Sequence, residues 1–370
     1  MLDFIGHHRA EFRFDLTYAA LTGLPRSGLV KALEYGFPLL PSGCALQLDA
    51  VARDQILSSL RQTLSRRSRV VDDLREVAKG TPVTLAAYLD QTGRDVEDVY
   101  AAGGWTTIRR EAGLLQERAN AEEDNTSERL GRLLHVDEPT RLRTWLRYAH
   151  EPLLSVAEND VRRLTMLGFQ LHSRGIVRDA ADTLAPLRTP ALLEELKQLV
   201  TVLEDRVALP QDIYPVPDWP LALHRHYTRQ EIAAAVGYAK PGARGGVPQA
   251  GILKVDGQRE LLFITLDKSA KSFSPSTRYR DYAISPTLFH WETQGVASVH
   301  KESGKRYVQS PGNGWSFFLF VRTDPEAPYA FCGQGVYQSH ESDSPIAVTW
   351  RLESALPAGL YQRYATLAVG

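Results

Sequence analysis

Four prolines fall within the twelve residues PQDIYPVPDWPL (210–221). Neither a helix interior nor a central strand accepts that density, because each proline removes a backbone donor and fixes φ. The stretch reads as an inter-domain linker over about 206–224, and the period of the apolar residues changes across it. An all-helical domain is expected over 1–205 and a strand-rich domain over 225–370.

Before the linker the spacing is helical. LDAVARDQILSSLRQTLSRRSRVVDDLREVA places Leu48, Val51, Ile56, Leu57, Leu60 and Leu64 on one stripe, with Asp49 as a cap. TLAAYLDQTGRDVEDVYAAGGWTTIRREAGLL predicts three short helices broken at Gly93 and at Gly103–Gly104. PTRLRTWLRYAHEP and EELKQLVTVLEDRV add two more amphipathic segments, which bury their stripes against one another in a bundle.

After the linker, Thr228 and Glu231 in YTRQEIAAAVG form a capping box and Gly237 supplies the stop, so one helix is expected there. The period then becomes two. ELLFITL, KRYVQS, SFFLFVR, YAFCGQGVYQ and IAVTWRL read as strands, with Trp315, Phe317, Phe318, Phe320 and Trp350 as core. The expected fold is α+β and multidomain: the helical domain, then a closed or nearly closed antiparallel β-barrel. Its strand-rich content suits a PUA-like or SRA-like barrel.

The 370 residues contain no apolar run of the roughly 20 residues that a membrane helix needs, and MLDFIGHHRAEFRF lacks a signal-peptide core, so a cytoplasmic location is expected. Two distant cysteines, Cys44 and Cys332, give no disulfide framework, and the adjacent His7 and His8 belong to no metal-ligand spacing. No metal or cofactor is expected. From Arg225 onward there are 16 lysines and arginines against 12 acidic residues; the 43 and 44 of the whole chain leave 27 against 32 before it. The second part is the basic one, which favours a polyanionic partner for it.

Within that part, PSTRYRDYAISPTLFHWETQG (275–295) concentrates Arg278, Tyr279, Arg280, Tyr282, Phe289, His290 and Trp291 beside Asp281, Thr293 and Gln294. A core strand does not want this polarity and a solvated loop gains nothing from these aromatics. A surface that binds something flat and polar wants both.

Several stretches resemble a known family. LDFIGHHRAEFRFD (2–15) and YGFPLLPSGCALQLD (35–49) are similar to the segment following the last helicase motif in bacterial superfamily II helicases that carry a phospholipase-D-like nuclease. YTRQEIAAAVG, ITLDKSAKSFSPSTRYRDYAISPTLFHWETQ and GVYQSHESDSPIAVTWRL resemble the C-terminal, helicase-associated domain of unknown function in the same proteins. The relatives include SauUSI-type modification-dependent (type IV) restriction enzymes, which act on DNA carrying 5-methylcytosine or 5-hydroxymethylcytosine. The resemblance implies a modified-DNA reader acting with helicase and nuclease domains in cis or in trans. The chain itself has no GxxxxGK[ST] loop, no DEAH-like box and no HxK motif, so neither engine of the family is expected in it.

A modified cytosine is read across the major groove or by flipping the base into a pocket. The candidate pocket residues are Asp281, as acceptor for the exocyclic amine, Tyr282, His290, Trp291 and Gln294. Alternation in FHWET separates Phe289, Trp291 and Thr293 from His290, Glu292 and Gln294. Trp291 is therefore either a stacking wall or core packing, and Asp281 either a base acceptor or a turn cap. Lys268, Lys271, Arg278, Tyr279 and Arg280 are the candidate contacts to DNA backbone.

Two rival functions stand beside this one. A nuclease would use Asp256, Glu260 and Lys268, although residues 266–268 read Leu-Asp-Lys and lack the (D/E)xK spacing. A structural adaptor would dock a helicase core and touch no base. Arg66, Arg67 and Arg69 form a basic knot, and GGW at 103–105 suits a helix-turn-helix, but the preceding Asp95, Glu97 and Asp98 argue against a DNA-facing role there.

Overall fold

The computed structural model describes residues 67–116, 120–153, 155–172, 178–208, 211–243, 247–267, 281–293, 297–310 and 312–366. The expectations placed on 1–66, including the Leu48–Leu64 stripe, Asp49, Arg66, His7, His8, Cys44 and the two N-terminal stretches of resemblance, lie outside these residues. The chain divides into two compact units, 1–131 and 132–370.

In the first unit, α1 (Arg67–Ala78), α2 (Leu85–Thr92), α3 (Val96–Ala101), α4 (Trp105–Glu111) and α5 (Ala121–Leu130) are short helices. Their stripes supply Val70, Leu74, Tyr88, Val99, Trp105, Ile108 and Leu130 to one core. The breaks fall where the glycines stand. Gly93 takes φ +60° as the cap of α2. Gly104, at φ +93°, passes so close to Ser127 that a Cβ would lie 2.2 Å from its Oγ. Trp105 is fully buried and tilts against Tyr88 at 5.4 Å, so GGW serves packing. Arg67 donates from Nε to Glu111 at 3.1 Å.

The second unit begins with α6 (Pro139–His150), α7 (Glu158–Leu171), α8 (Ala180–Leu184) and α9 (Pro190–Asp205). It continues through β1 (His226–Tyr227), α10 (Arg229–Ala235), β2 (Ile252–Val255), β3 (Arg259–Thr265), β4 (Tyr282–Ser285) and β5 (Leu288–Glu292). It ends with α11 (Glu302–Val308), β6 (Ser316–Arg322), β7 (Tyr329–Glu341), β8 (Ala347–Leu352) and α12 (Ala358–Thr366). No helix among the described residues is long and apolar enough to cross a membrane.

This division falls at 131/132 and not near 205. The proline-rich chain is packed into the second unit: Trp219, Leu221 and Ala222 are buried, and Trp219 meets Phe318 edge-on at 4.8 Å. His224 N–H donates to the Phe331 carbonyl at 2.7 Å. Prolines excluded helix and strand there, as read, but an extended segment can be buried when its side chains are apolar.

The strands form one open, mixed sheet in the order β2-β3-β6-β7-β8-β5-β4, with β1 paired to β7. This corrects the closed antiparallel barrel and removes the basis for a PUA-like or SRA-like assignment. β3 and β6 run parallel, Leu262 opposite Leu319, while the other pairs are antiparallel. Period-two alternation reports which face a side chain takes and is silent on strand direction and on closure. KRYVQS is a second correction: it lies largely in α11, whose Tyr307 is turned into the core. Six residues are too few for the two periods to be told apart.

One face of the sheet carries Leu262, Ile264, Phe289, Trp291, Phe317, Leu319, Val348 and Trp350, in one core with Tyr307 of α11 and Leu360 and Tyr364 of α12. The opposite face over β3, β6 and β7 carries Phe263, Phe318, Phe320 and Phe331, and is covered by Trp219 and Arg229. Burial on both faces is why ELLFIT and SFFLFV read as continuous apolar runs. In β7, Gly333 at φ +86° sits where the β6–β7 register slips, and a Cβ there would lie 2.8 Å from Leu223.

Candidate nucleic-acid interface

The FHW run is β5, the hairpin partner of β4. Ser285 Oγ accepts from Leu288 N–H at 3.1 Å and closes the turn around Pro286 and Thr287. Register places Tyr282 opposite His290 and Ala283 opposite Phe289. The alternation expected from FHWET holds, and it sorts the candidates. Phe289 is fully buried, and Trp291, only 7% exposed, packs against Tyr307 at 5.1 Å and Trp350 at 6.2 Å. Trp291 is core packing, the second of its two readings. Thr293 accepts from Ile346 N–H at 2.9 Å and ties the strand end to the neck of β8.

Tyr282 and His290 lie on the other face. Their rings are 4.7 Å apart and 14° from parallel, a stacked cross-strand pair, both half-buried. On the neighbouring strand Thr349 stands opposite His290 and Arg351 opposite Leu288. The Arg351 side chain is exposed and has no hydrogen bond or ion pair among the described residues. The hairpin also carries Ile284, 43% exposed. This face can offer a flat aromatic surface, an apolar contact and a guanidinium, the groups that stack a base and hold a phosphate.

Asp281 is buried and accepts Glu292 N–H at 3.0 Å, holding the open end of the β4–β5 hairpin together. That bond scaffolds the hairpin. Gln294, Lys268, Lys271, Arg278, Tyr279 and Arg280 lie outside the described residues. Of the sequence candidates, Tyr282 and His290 are thus brought together, while Trp291 faces away from them. Sequence reasoning missed Thr349 and Arg351. VTWRL carried the signal, since Trp350 inward forces both neighbours outward, but nothing local says that β8 lies beside β5.

Of the nuclease candidates, Asp256 and Glu260 are engaged elsewhere, and Lys268 lies outside the described residues. Asp256 pairs with Arg259, whose Nη2 also reaches Asp218 at 2.9 Å. Glu260 is fully buried, accepts from the Tyr307 hydroxyl at 2.5 Å and faces Arg306 Nε at 2.9 Å. Burial pushes the Tyr307 hydroxyl well above its ordinary pKa, and the Glu260 charge adds to this. Among the described residues no cluster of three His, Cys, Asp or Glu is placed to hold a metal ion.

A buried charge cluster lies in the interior of the second unit. Arg141 of α6 is fully buried, 3.5 Å from Glu138 and 3.3 Å from Glu231, and its guanidinium stacks on Tyr227 at 4.4 Å. Glu138 accepts hydroxyl bonds from Tyr227 at 2.6 Å and Tyr214 at 2.7 Å. Burial nevertheless raises the Glu138 pKa against Arg141 and the two hydroxyls. For Glu231 the balance is reversed: burial alone would raise it, but His135, 2.8 Å away, and Arg141 hold it down at about 2. The Thr228–Glu231 capping box forms as expected, with Thr228 N–H donating to Glu231 at 2.7 Å. The same carboxylate therefore both caps α10 and receives a buried cation, a second duty that the local pattern does not reveal.

No curated protein matches the chain. Residues 221–364, the segment from the buried Leu221 to Tyr364 of α12, match the family model described as a domain of unknown function (DUF3427).

Proposed function

We propose that the chain is a non-catalytic DNA-recognition module of a modification-dependent restriction system, reading duplex DNA that carries 5-methylcytosine or 5-hydroxymethylcytosine. It would act with superfamily II helicase and phospholipase-D-like nuclease domains, in cis or in trans. The observation that carries this reading is the stacked Tyr282–His290 pair on the outer face of β4–β5, with exposed Arg351 on the adjacent strand. Support also comes from the resemblance of the same stretches to the C-terminal domain of those restriction proteins, and from the basic balance of residues 225–370.

In this reading the base stacks on the Tyr282–His290 surface, reached by flipping, and Arg351 holds the neighbouring phosphate. Stacking on an aromatic contributes roughly 1–3 kcal/mol per base. The test is a titration of modified and unmodified duplexes of one sequence against the protein and its Tyr282→Ala variant. The expected result is tighter binding of the modified duplex and loss of that preference in the variant. Equal affinity of the unaltered protein for both duplexes, or for neither, would favour the structural-adaptor reading.

A further inference from the structure

On the covered face of the sheet, two arginines share one tyrosine. Arg229, at the start of α10, lies 3.9 Å over the Phe263 ring and donates from Nη2 to the Tyr329 hydroxyl at 3.2 Å. Arg322, at the end of β6, lies 4.4 Å over the Tyr329 ring. The Arg229 guanidinium is 5.6 Å from the same ring centre, so the two guanidinium carbons are no further apart than the sum of 4.4 and 5.6 Å.

Both arginines are half-buried, and no carboxylate pairs with either among the described residues. Arg229 donates to the Pro248 and Ala250 carbonyls, and Arg322 to Thr265 Oγ1 and the Pro325 carbonyl. Those bonds go to neutral oxygens and bring no carboxylate into contact with either guanidinium. Asp324, two residues beyond Arg322, turns its carboxylate to Thr323 Oγ and to the N–H groups of Glu326 and Ala327. Burial and the neighbouring Arg229 charge lower the Arg322 pKa despite Tyr329 and Asp324. Tyr329 is itself buried, and its hydroxyl accepts from Arg229 while its own proton meets no acceptor among the described residues.

Two guanidinium groups thus flank one tyrosine hydroxyl, and no carboxylate is hydrogen-bonded to either among the described residues. We infer that Arg229, Arg322 and Tyr329 form a binding site for a phosphoryl oxyanion, distinct from the Tyr282–His290 face. Guanidinium groups match the oxygen spacing of such an anion in a forked arrangement, and a tyrosine hydroxyl adds a third donor. The phosphoryl group can come from a DNA backbone or from a free phosphate. The inference does not require that the chain reads modified bases.

The experiment is a thermal-shift titration of the full chain with inorganic phosphate at constant ionic strength set by chloride, run also on Arg322→Gln and Tyr329→Phe. Phosphate is expected to raise the Tm of the unaltered protein saturably, and both variants to need at least tenfold more phosphate for the same shift. Tyr329→Phe keeps the ring and decides the matter if Arg322→Gln does not fold. A second arm measures unmodified duplex binding. A parallel tenfold loss in the variants assigns the site to backbone phosphate, and unchanged duplex affinity assigns it to a free phosphate. The ratio of modified to unmodified affinity stays constant in either case, because phosphate contacts carry no base identity. No phosphate-dependent shift in the unaltered protein, or the same shift in all three, overturns the inference and leaves the base-reading proposal standing.

Discussion

Glu231 and Arg141 face each other at 3.3 Å with both side chains fully shielded from solvent, joining α10 to α6 across ninety positions of sequence. Removing one partner of a buried pair strands the other charge, at about 3–5 kcal/mol. Glu231→Gln is therefore expected to destabilise by about 3 kcal/mol in urea unfolding followed by circular dichroism. The same reasoning applies to truncation. A fragment of residues 222–370 loses Arg141, Glu138 and His135 together and is expected to unfold without a cooperative transition, whereas residues 132–370 retain one.

Acid should expose the same carboxylate. Glu231 is held at about 2, below the 4.5 of an unperturbed glutamate, so its contribution is fully present above pH 4.5 and is lost as pH falls toward 2. Glu138 has the opposite sign, since burial raises it and its ionised form is the costly one. Between pH 5 and 3, Tm measurements should show the unaltered protein losing stability more steeply than Glu231→Gln, and Glu138→Gln losing it at least as steeply as the unaltered protein.

Trp291 and Tyr282 should part company on substitution. Trp291→Ala opens the core between Tyr307 and Trp350 and is expected to cost about 3–5 kcal/mol of folding. Tyr282→Ala, on the half-buried outer face, should cost about 1 kcal/mol or less and act on binding instead. Denaturant midpoints for both variants, taken before any DNA titration, check this.

Asp256 is bound to Arg259 at the end of β2. Purified protein with magnesium or manganese and a modified duplex is expected to yield no cleavage on a denaturing gel. Cleavage abolished by Asp256→Asn would restore the nuclease reading.

The elements that were legible in the sequence are those whose signal is local. The Thr228–Glu231 box marks α10, SFFLFVR coincides with β6, and FHWET alternates as β5 does. What was not legible depends on distant partners. Nothing in ELLFITL announces a parallel neighbour, so its pattern fits a barrel as well as an open mixed sheet. Nothing in PTRLRTWLRYAHEP distinguishes Arg141, whose burial rests on Glu231. At the candidate site, aromatic richness located the hairpin but not the face. Strand alternation separates Trp291 from His290, and only the neighbouring strand adds Arg351.

The central claim is that the Tyr282–His290 face distinguishes modified from unmodified cytosine. The most direct measurement is the ratio of Kd values for unmodified and 5-methylcytosine duplexes, determined by anisotropy for the unaltered protein and for Tyr282→Ala and His290→Ala at fixed salt. The account predicts a ratio well above one that falls about tenfold toward unity in each variant, in line with roughly 1–3 kcal/mol of stacking, while affinity for the unmodified duplex changes little. A ratio that is unity for the unaltered protein, or that survives both substitutions, would contradict it.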